Sequence, residues 1–166
     1  HRIAQILAES APLDETLPRI LQTLCQSLSM DYGIQWEVDP DGTGFRRSFI
    51  WCRPEIDQGE LARELAAALP AGCPCDRVWQ TTLPQWFTRA ELKSCGIAFD
   101  AVRSAPSTSA LFLPITLGTR AVCVLELRTS EVRAYEVEIL SSARAIGSQI
   151  GQSLGNGRDT VCQQFG

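Results

Sequence analysis

Histidine and lysine are almost missing from this chain of 166 residues, where His1 and Lys93 stand alone. With no second histidine there is no metal-binding histidine pair, no serine with a histidine base and no haem ligation through histidine within the fold. The other basic residues are arginines scattered along the chain, and the formal net charge is −4. No Lys/Arg cluster is dense enough to track a phosphate backbone, which excludes nucleic acid as a partner. No apolar run approaches the ~18–20 residues needed to span a bilayer, and no signal-peptide pattern opens the chain. The segment is therefore expected to be soluble and cytoplasmic, without direct membrane insertion, whether or not a parent protein is membrane-tethered. A P-loop and internal repeats are also absent.

What is present is ordinary globular composition, 45% hydrophobic and 20% charged, in a length that suits one domain. Residues 1–155 are expected to form that domain, and residues 156–166 a flexible tail or linker remnant. The seven cysteines are an odd number spread through apolar surroundings, which argues against a disulfide scaffold. Most read as reduced thiols acting as small buried hydrophobes.

The apolar spacing predicts the elements. Ile3, Ile6 and Leu7 share one face of a short opening helix. Leu17, Ile20, Leu21, Leu24 and Leu28 mark a second helix, with Thr16 as its expected cap and Pro18 in its first turn. The period then changes to two. YGIQWEV, a DPDG turn and GFRRSFIWC form a hairpin, with Phe45, Phe49 and Trp51 expected on one face. ELARELAAALP (60–70) predicts a helix ended by proline, and residues 77–82 a short helix. QWFT reads as a brief strand and RAELKSCG as a short helix or loop. Residues 97–107 read as an irregular loop. TSALFLPI and RAVCVLEL read as two strands around a tight turn. A final helix carries Leu140, Ala143, Ile146, Gly147, Ile150 and Leu154 on one face. This order describes an α+β fold with a mostly antiparallel sheet.

The stretch RVWQTTLPQWF, followed by SALFLPI, AVCVLEL and AIGSQIGQSL, resembles a GAF domain in order and spacing, over roughly residues 2–154. The likeness is to GAF domains of bacterial sensor histidine kinases and related multidomain signalling proteins. It implies a central antiparallel sheet, N- and C-terminal helices packed on one face, and a ligand-type pocket on the other. It also implies a regulatory role: an unknown small molecule as partner, a homodimer through the terminal helices, and an attached output domain in a two-component sensor. The isolated domain is then not itself an enzyme. Similar domains carry a glycine-rich turn where this chain has Cys73-Pro74-Cys75-Asp76, and glycine where Thr82 and Cys123 stand. Bilin-binding relatives attach their chromophore through a cysteine followed by histidine. His1 lies outside the fold, so a covalent bilin is not expected, and the cofactor stays unknown.

Trp36, Phe49, Trp51, Trp79, Trp86, Phe99 and Phe112 are the candidate pocket walls, with Arg103, Arg77 or Arg89 as an anion partner. Ordinary core packing is the competing explanation for the aromatics. Cys73, Cys75 and Cys95 are the candidate redox or metal thiols, against the plainer reading as buried structural residues. A free methionine sulfoxide reductase-like enzyme or thiol redox sensor on the same fold is one alternative, and a ligand-free dimerisation spacer another. Ile146, Gly147, Ile150 and Gly151 are the candidate dimer-helix residues. No catalytic constellation and no metal set is assigned.

Overall fold

The computed structural model describes residues 2–8, 12–95, 103, 105–107, 109–131, 138–150 and 152. The elements run α1 (Arg2–Ala8), α2 (Leu13–Ser27), β1 (Tyr32–Val38), β2 (Gly44–Cys52), α3 (Gln58–Glu64), β3 (Ala68–Pro70), α4 (Pro74–Thr81), β4 (Gln85–Thr88), α5 (Arg89–Ser94), β5 (Ser109–Leu117) and β6 (Arg120–Thr129). Residues 138–150 form a last helix, α6. The strands make one sheet in the order β3-β2-β1-β6-β5-β4, and each neighbouring pair is antiparallel. The fold is α+β, as expected.

Each face of the sheet buries its own core. On one, α1, α2 and α6 bring Ile6, Leu17, Ile20, Leu21, Leu24, Ala143 and Ile150 against Leu111, Leu113, Leu125 and Leu127. On the other, α3, α4 and α5 bring Leu61, Cys75, Val78 and Leu92 against Tyr32, Ile34, Trp36, Phe112 and Val124. The helix layer sits very close to β1. A Cβ built on Gly33 would lie 2.7 Å from both Cys25 Sγ and Leu21 Cδ1, so a side chain at this position would drive α2 off the strand. Asp31 ties three strand ends together. Its carboxylate accepts from Ser130 N at 2.7 Å and pairs with Arg53 at 3.4 Å, while its own N–H donates to Arg128 O.

Four local expectations need correction. α2 begins at Leu13 after Pro12, so Thr16 lies inside it, donating its hydroxyl to Pro12 O, and Pro18 is internal. Asp14 and Glu15 occupy the first turn, where carboxylates suit the helix dipole, and they move the start one turn earlier. α3 stops at Glu64 and does not reach Pro70. The Arg47 guanidinium takes the carbonyls of Ala62, Leu65 and Ala66, and Ala68–Pro70 pairs with β2 as the edge strand β3. Tertiary bonds here override a strong helical propensity. α4 starts at Pro74, with Cys73 as its N-cap residue, so the Cys-Pro-Cys-Asp segment is a helix start. Finally, Phe45 does not share a face with Phe49 and Trp51. Gln35 pairs with Phe49 and Trp36 with Arg47, leaving Ser48 as an extra residue. This β-bulge reverses the alternation, so Phe45 joins the α4 side while Phe49 and Trp51 join the helix layer of α2.

Thr82, where similar domains were expected to carry glycine, caps α4 at φ 56°, in the left-handed region that disfavours a β-branched side chain. The final residues, 153–166, lie outside the described part.

The Gly33 contact generates a stability prediction. Gly33→Ala should destabilise by about 1–3 kcal/mol through overpacking, and adding Cys25→Ala should recover a substantial part of it. Urea unfolding of the two variants and the wild type measures both effects.

Candidate functional site

The most unusual side chains of the molecule lie on the α4 side of the sheet. β6 presents Val124, Glu126 and Arg128 there in alternation, with β1 contributing Trp36, Ile34 and Tyr32 beside them and β5 contributing Phe112 and Ala110. Glu126 is 1% exposed and Arg128 4%, and the two form an ion pair through Glu126 Oε2 and Arg128 Nε. The other carboxylate oxygen accepts a hydrogen bond of 3.0 Å from Trp36 Nε1. Arg128 also reaches Ser107 Oγ at 3.4 Å, from the segment leading into β5. Burial is the largest single influence and works against the charged guanidinium, but Glu126 and Tyr32 together outweigh it and hold the pKa of Arg128 above its ordinary value.

Tyr32 stands opposite Arg128 in the register and is fully buried. Its hydroxyl makes no well-formed hydrogen bond among the described residues, although the Ser107 side chain is near enough to lower its pKa. A buried hydroxyl without a partner is costly and calls for an explanation. Burial is also the main reason its pKa rises, with Arg128 the leading influence in the other direction.

Aromatic rings border this cluster. Phe87 meets Phe112 edge-on at 5.2 Å, Phe45 meets Trp79 edge-on at 5.7 Å, and exposed Arg77 lies over the Phe87 ring at 5.5 Å. Cys73 and Cys75, in the turn that begins α4, are both buried in the same core. A hydrogen bond from the Cys75 thiol lowers the pKa of Cys73, whereas burial, and then Cys73 itself, push Cys75 well up. Glu126 is among the charges that raise the pKa of Cys75, which packs in the same core as Trp36 and Val124. Asp76 closes that turn by accepting from Gly72 N–H.

The aromatic set expected from the sequence does not assemble as one wall. Trp36, Trp79 and Phe112 belong to the α4 side. Phe49, Trp51 and Trp86 pack instead against the helix layer of α1, α2 and α6. The bulge at Ser48 explains the first two, and strand alternation puts Trp86 opposite Phe87. Arg103 is exposed, and Phe99 lies outside the described residues. Among the described residues the buried cation is Arg128, which none of the sequence expectations names. The signal was present as the alternation of Glu126 and Arg128 in a strand otherwise apolar. Such alternation reads as a solvent face until both faces are known to be covered.

Cys95 caps α5 and is half-buried, and the six described cysteines are free thiols. Among the described residues no group of three or more His, Cys, Asp and Glu side chains is placed to hold a metal ion. Of the dimer-helix candidates, Ile150 is fully buried, Ile146 partly so, and Gly147 is buried where a Cβ would lie 3.4 Å from Leu113 Cδ1. Gly147 and Ile150 are therefore engaged by this chain's own sheet. Gly151 lies outside the described residues. No described helix is long and apolar enough to cross a membrane.

Two tests of the polar cluster follow. Glu126→Gln should cost about 3–5 kcal/mol, because it removes the carboxylate that pairs with the buried Arg128 guanidinium, while the paired change Glu126→Met with Arg128→Leu should be near neutral or stabilising. Chemical denaturation of both variants distinguishes these. Tyr32→Phe should leave stability unchanged at neutral pH or raise it by about 1 kcal/mol, since it removes an unbonded hydroxyl. Because the native pKa of Tyr32 is raised, the wild type keeps its full phenol contribution below about pH 10 and loses it as the unfolded chain ionises first above that. The stability difference between wild type and Tyr32→Phe should thus be flat from about pH 7 to 9 and turn against the wild type at higher pH.

Comparison with known proteins converges on one family. A family model described as a GAF domain matches residues 10–154. No curated relative matches this sequence. Among solved structures, the phycoerythrobilin-bound GAF domain from a cyanobacterial phytochrome superposes with a TM-score of 0.70 at 16% identity, covering 95% of this chain and 93% of that one. The free methionine-R-sulfoxide reductase from Neisseria meningitidis, in complex with its substrate, has a TM-score of 0.66 at 12% identity and coverages of 95% and 89%. A domain of a putative two-component sensor histidine kinase from Sinorhizobium meliloti 1021 has a TM-score of 0.56 at 15% identity and coverages of 93% and 98%. At these identities the likeness establishes the fold.

Proposed function

The chain belongs to the GAF family, and from that premise we propose that it is a regulatory, small-molecule-sensing domain of a bacterial signal-transduction protein of the sensor histidine kinase kind. The observation that carries this reading is the buried cluster of Glu126, Arg128, Ser107 and Trp36 beside the unbonded hydroxyl of Tyr32. A charge pair replaced by apolar residues would serve stability at least as well. Its presence at the centre of the sheet, with a spare donor next to it, suits recognition of a polar ligand that completes the Tyr32 bond. Perturbed and buried ionisable groups of this sort concentrate at functional sites. Trp36 and Trp79 on the same face would report such binding.

The mechanism is differential binding. A ligand that favours one arrangement of the segments covering β1 and β6 biases the terminal helices, and through them an attached output domain. A homodimer through those helices would use the surface of α6 that faces away from the sheet, since Gly147 and Ile150 already face inward.

One observation favours a second reading, a thiol redox sensor or an enzyme of the free methionine sulfoxide reductase type. Cys73 and Cys75 interact directly in the α4-side core, and Cys75 feels the charge of the buried Glu126 carboxylate.

Native mass spectrometry of the purified chain tests the proposal. The expected result is a bound small molecule that is retained by the wild type and lost from the folded Glu126→Met/Arg128→Leu variant, accompanied by a change in tryptophan emission. A wild type that carries no added mass, with emission flat across a metabolite panel, would leave the ligand-free dimerisation spacer as the better account. Thioredoxin-coupled turnover of free methionine sulfoxide, abolished by Cys75→Ala, would move the assignment to the thiol chemistry.

A further inference from the structure

A cavity of about 430 Å³ opens on a different part of the molecule, between α6, the β5–β6 turn and the loop that joins α4 to β4. Its volume lies within the range of small-molecule sites. Its lining is divided. Leu83, Pro84, Leu113 and Pro114 supply an apolar wall, while Arg144, Ser148, Thr116 and Thr119 supply a cation and three hydroxyls. Among the described residues no carboxylate lines it, and Arg144 is the one charged residue of that lining.

Three further features mark the same place. Leu83, at 43%, is one of only two large hydrophobic side chains exposed among the described residues. Thr82, on the rim, is held at φ 56°, a strained conformation for a β-branched residue and one that accumulates at functional positions. The strand edge is also open here. β4 pairs with β5 only from Ser109 to Phe112, so beyond Phe112 β5 is paired with β6 on one side and has no described strand on the other. Pro114, which has no N–H to offer, is tolerated where the neighbouring strand has ended.

We propose that this cavity binds a small organic anion, a carboxylate on a short apolar chain, and that the bound anion links α6 to the sheet. The carboxylate would be held by Arg144 with the Thr119 and Ser148 hydroxyls, and the chain would lie along Leu83, Pro84 and Leu113. Arg144, Gly147, Ser148 and Gln152 all lie on the C-terminal helix, whereas the other walls belong to the sheet and its loops. An occupant therefore bridges two layers that are otherwise joined by apolar contacts, which gives it leverage on the position of α6. This site is separate from the buried cluster of Glu126 and Arg128, and its occupancy does not depend on that cluster.

The test is an amide-resolved NMR titration of the whole chain with hexanoate, using hexanol and hexylamine as neutral and cationic controls. Hexanoate should shift the amides of Thr116, Gly118, Thr119 and Ser148 in a saturable way. Arg144→Gln should weaken that binding about tenfold or more, as expected for loss of a charge-assisted hydrogen bond. The Glu126→Met/Arg128→Leu variant should bind hexanoate as the wild type does, which separates failure here from failure of the sensing proposal. Absence of shifts at these amides, undiminished binding to Arg144→Gln, or hexanol binding as tightly as hexanoate would each overturn the assignment.

Discussion

Glu126 and Arg128 put opposite charges at successive same-face positions of a central strand, in a layer closed over by α4 and by the segment entering β5. Withdrawing two ions from water costs several kcal/mol each, and only good geometry with further hydrogen bonds offsets it. The offset here comes from separate parts of the chain: Trp36 from β1, Ser107 from the approach to β5, and the pair itself from β6. A shift of any one of these by a residue would leave an uncompensated charge in the core. The pair thereby fixes how β1, β6 and the entry to β5 sit relative to each other. It also explains why so polar a row is tolerated beneath the buried thiols of Cys73 and Cys75.

The opposite face works by a different physics. It is almost wholly apolar, and its geometry is set by close approach. Gly33 lets α2 descend onto β1, and Gly147 lets α6 descend onto Leu113 and Pro114 of β5. Dispersion contacts of this kind are non-directional and short-ranged, so small side-chain additions are felt strongly. One side of the sheet is held in register by charge and hydrogen bonds, and the other is held at a distance by missing side chains.

The sequence disclosed most of the elements because their periodicity matches their burial. Residues 32–38 and 44–52 alternate in polarity and form β1 and β2, although β1 is buried on both faces from Tyr32 to Trp36, while Leu17, Ile20, Leu21 and Leu24 repeat at helical spacing and are all buried in α2. What stayed hidden was decided by partners far along the chain. The bulge at Ser48 exists only in the pairing with β1, and no local pattern announces it, so the single face that alternation implies for Phe45, Phe49 and Trp51 does not form. The end of α3 depends on Arg47 capturing carbonyls 15 to 19 residues away. The polar cluster was missed for a related reason. Glu126 and Arg128 look like solvent-facing positions until β6 is known to lie between β1 and β5, with helices on both faces. The cysteines of the Cys-Pro-Cys segment attracted notice first, yet the neighbouring charge on β6 is the rarer feature.

Because successive residues of a strand face opposite ways, β5 belongs to both halves of the molecule. Phe112 and Ala110 flank the buried ion pair, while Leu113 and Leu111 carry the helix layer, and Leu113 also touches the position of Gly147 in α6. A close-packed interior transmits displacement instead of absorbing it. A ligand that completed the Tyr32 bond would press on one side of β5 and β6, and an anion beside Arg144 would pull on the other. Both would act on the same two strands and the same C-terminal helix. The proposed signal thus needs no long pathway: two faces of one sheet share the strands that position α6, and the helix reads whichever arrangement those strands adopt.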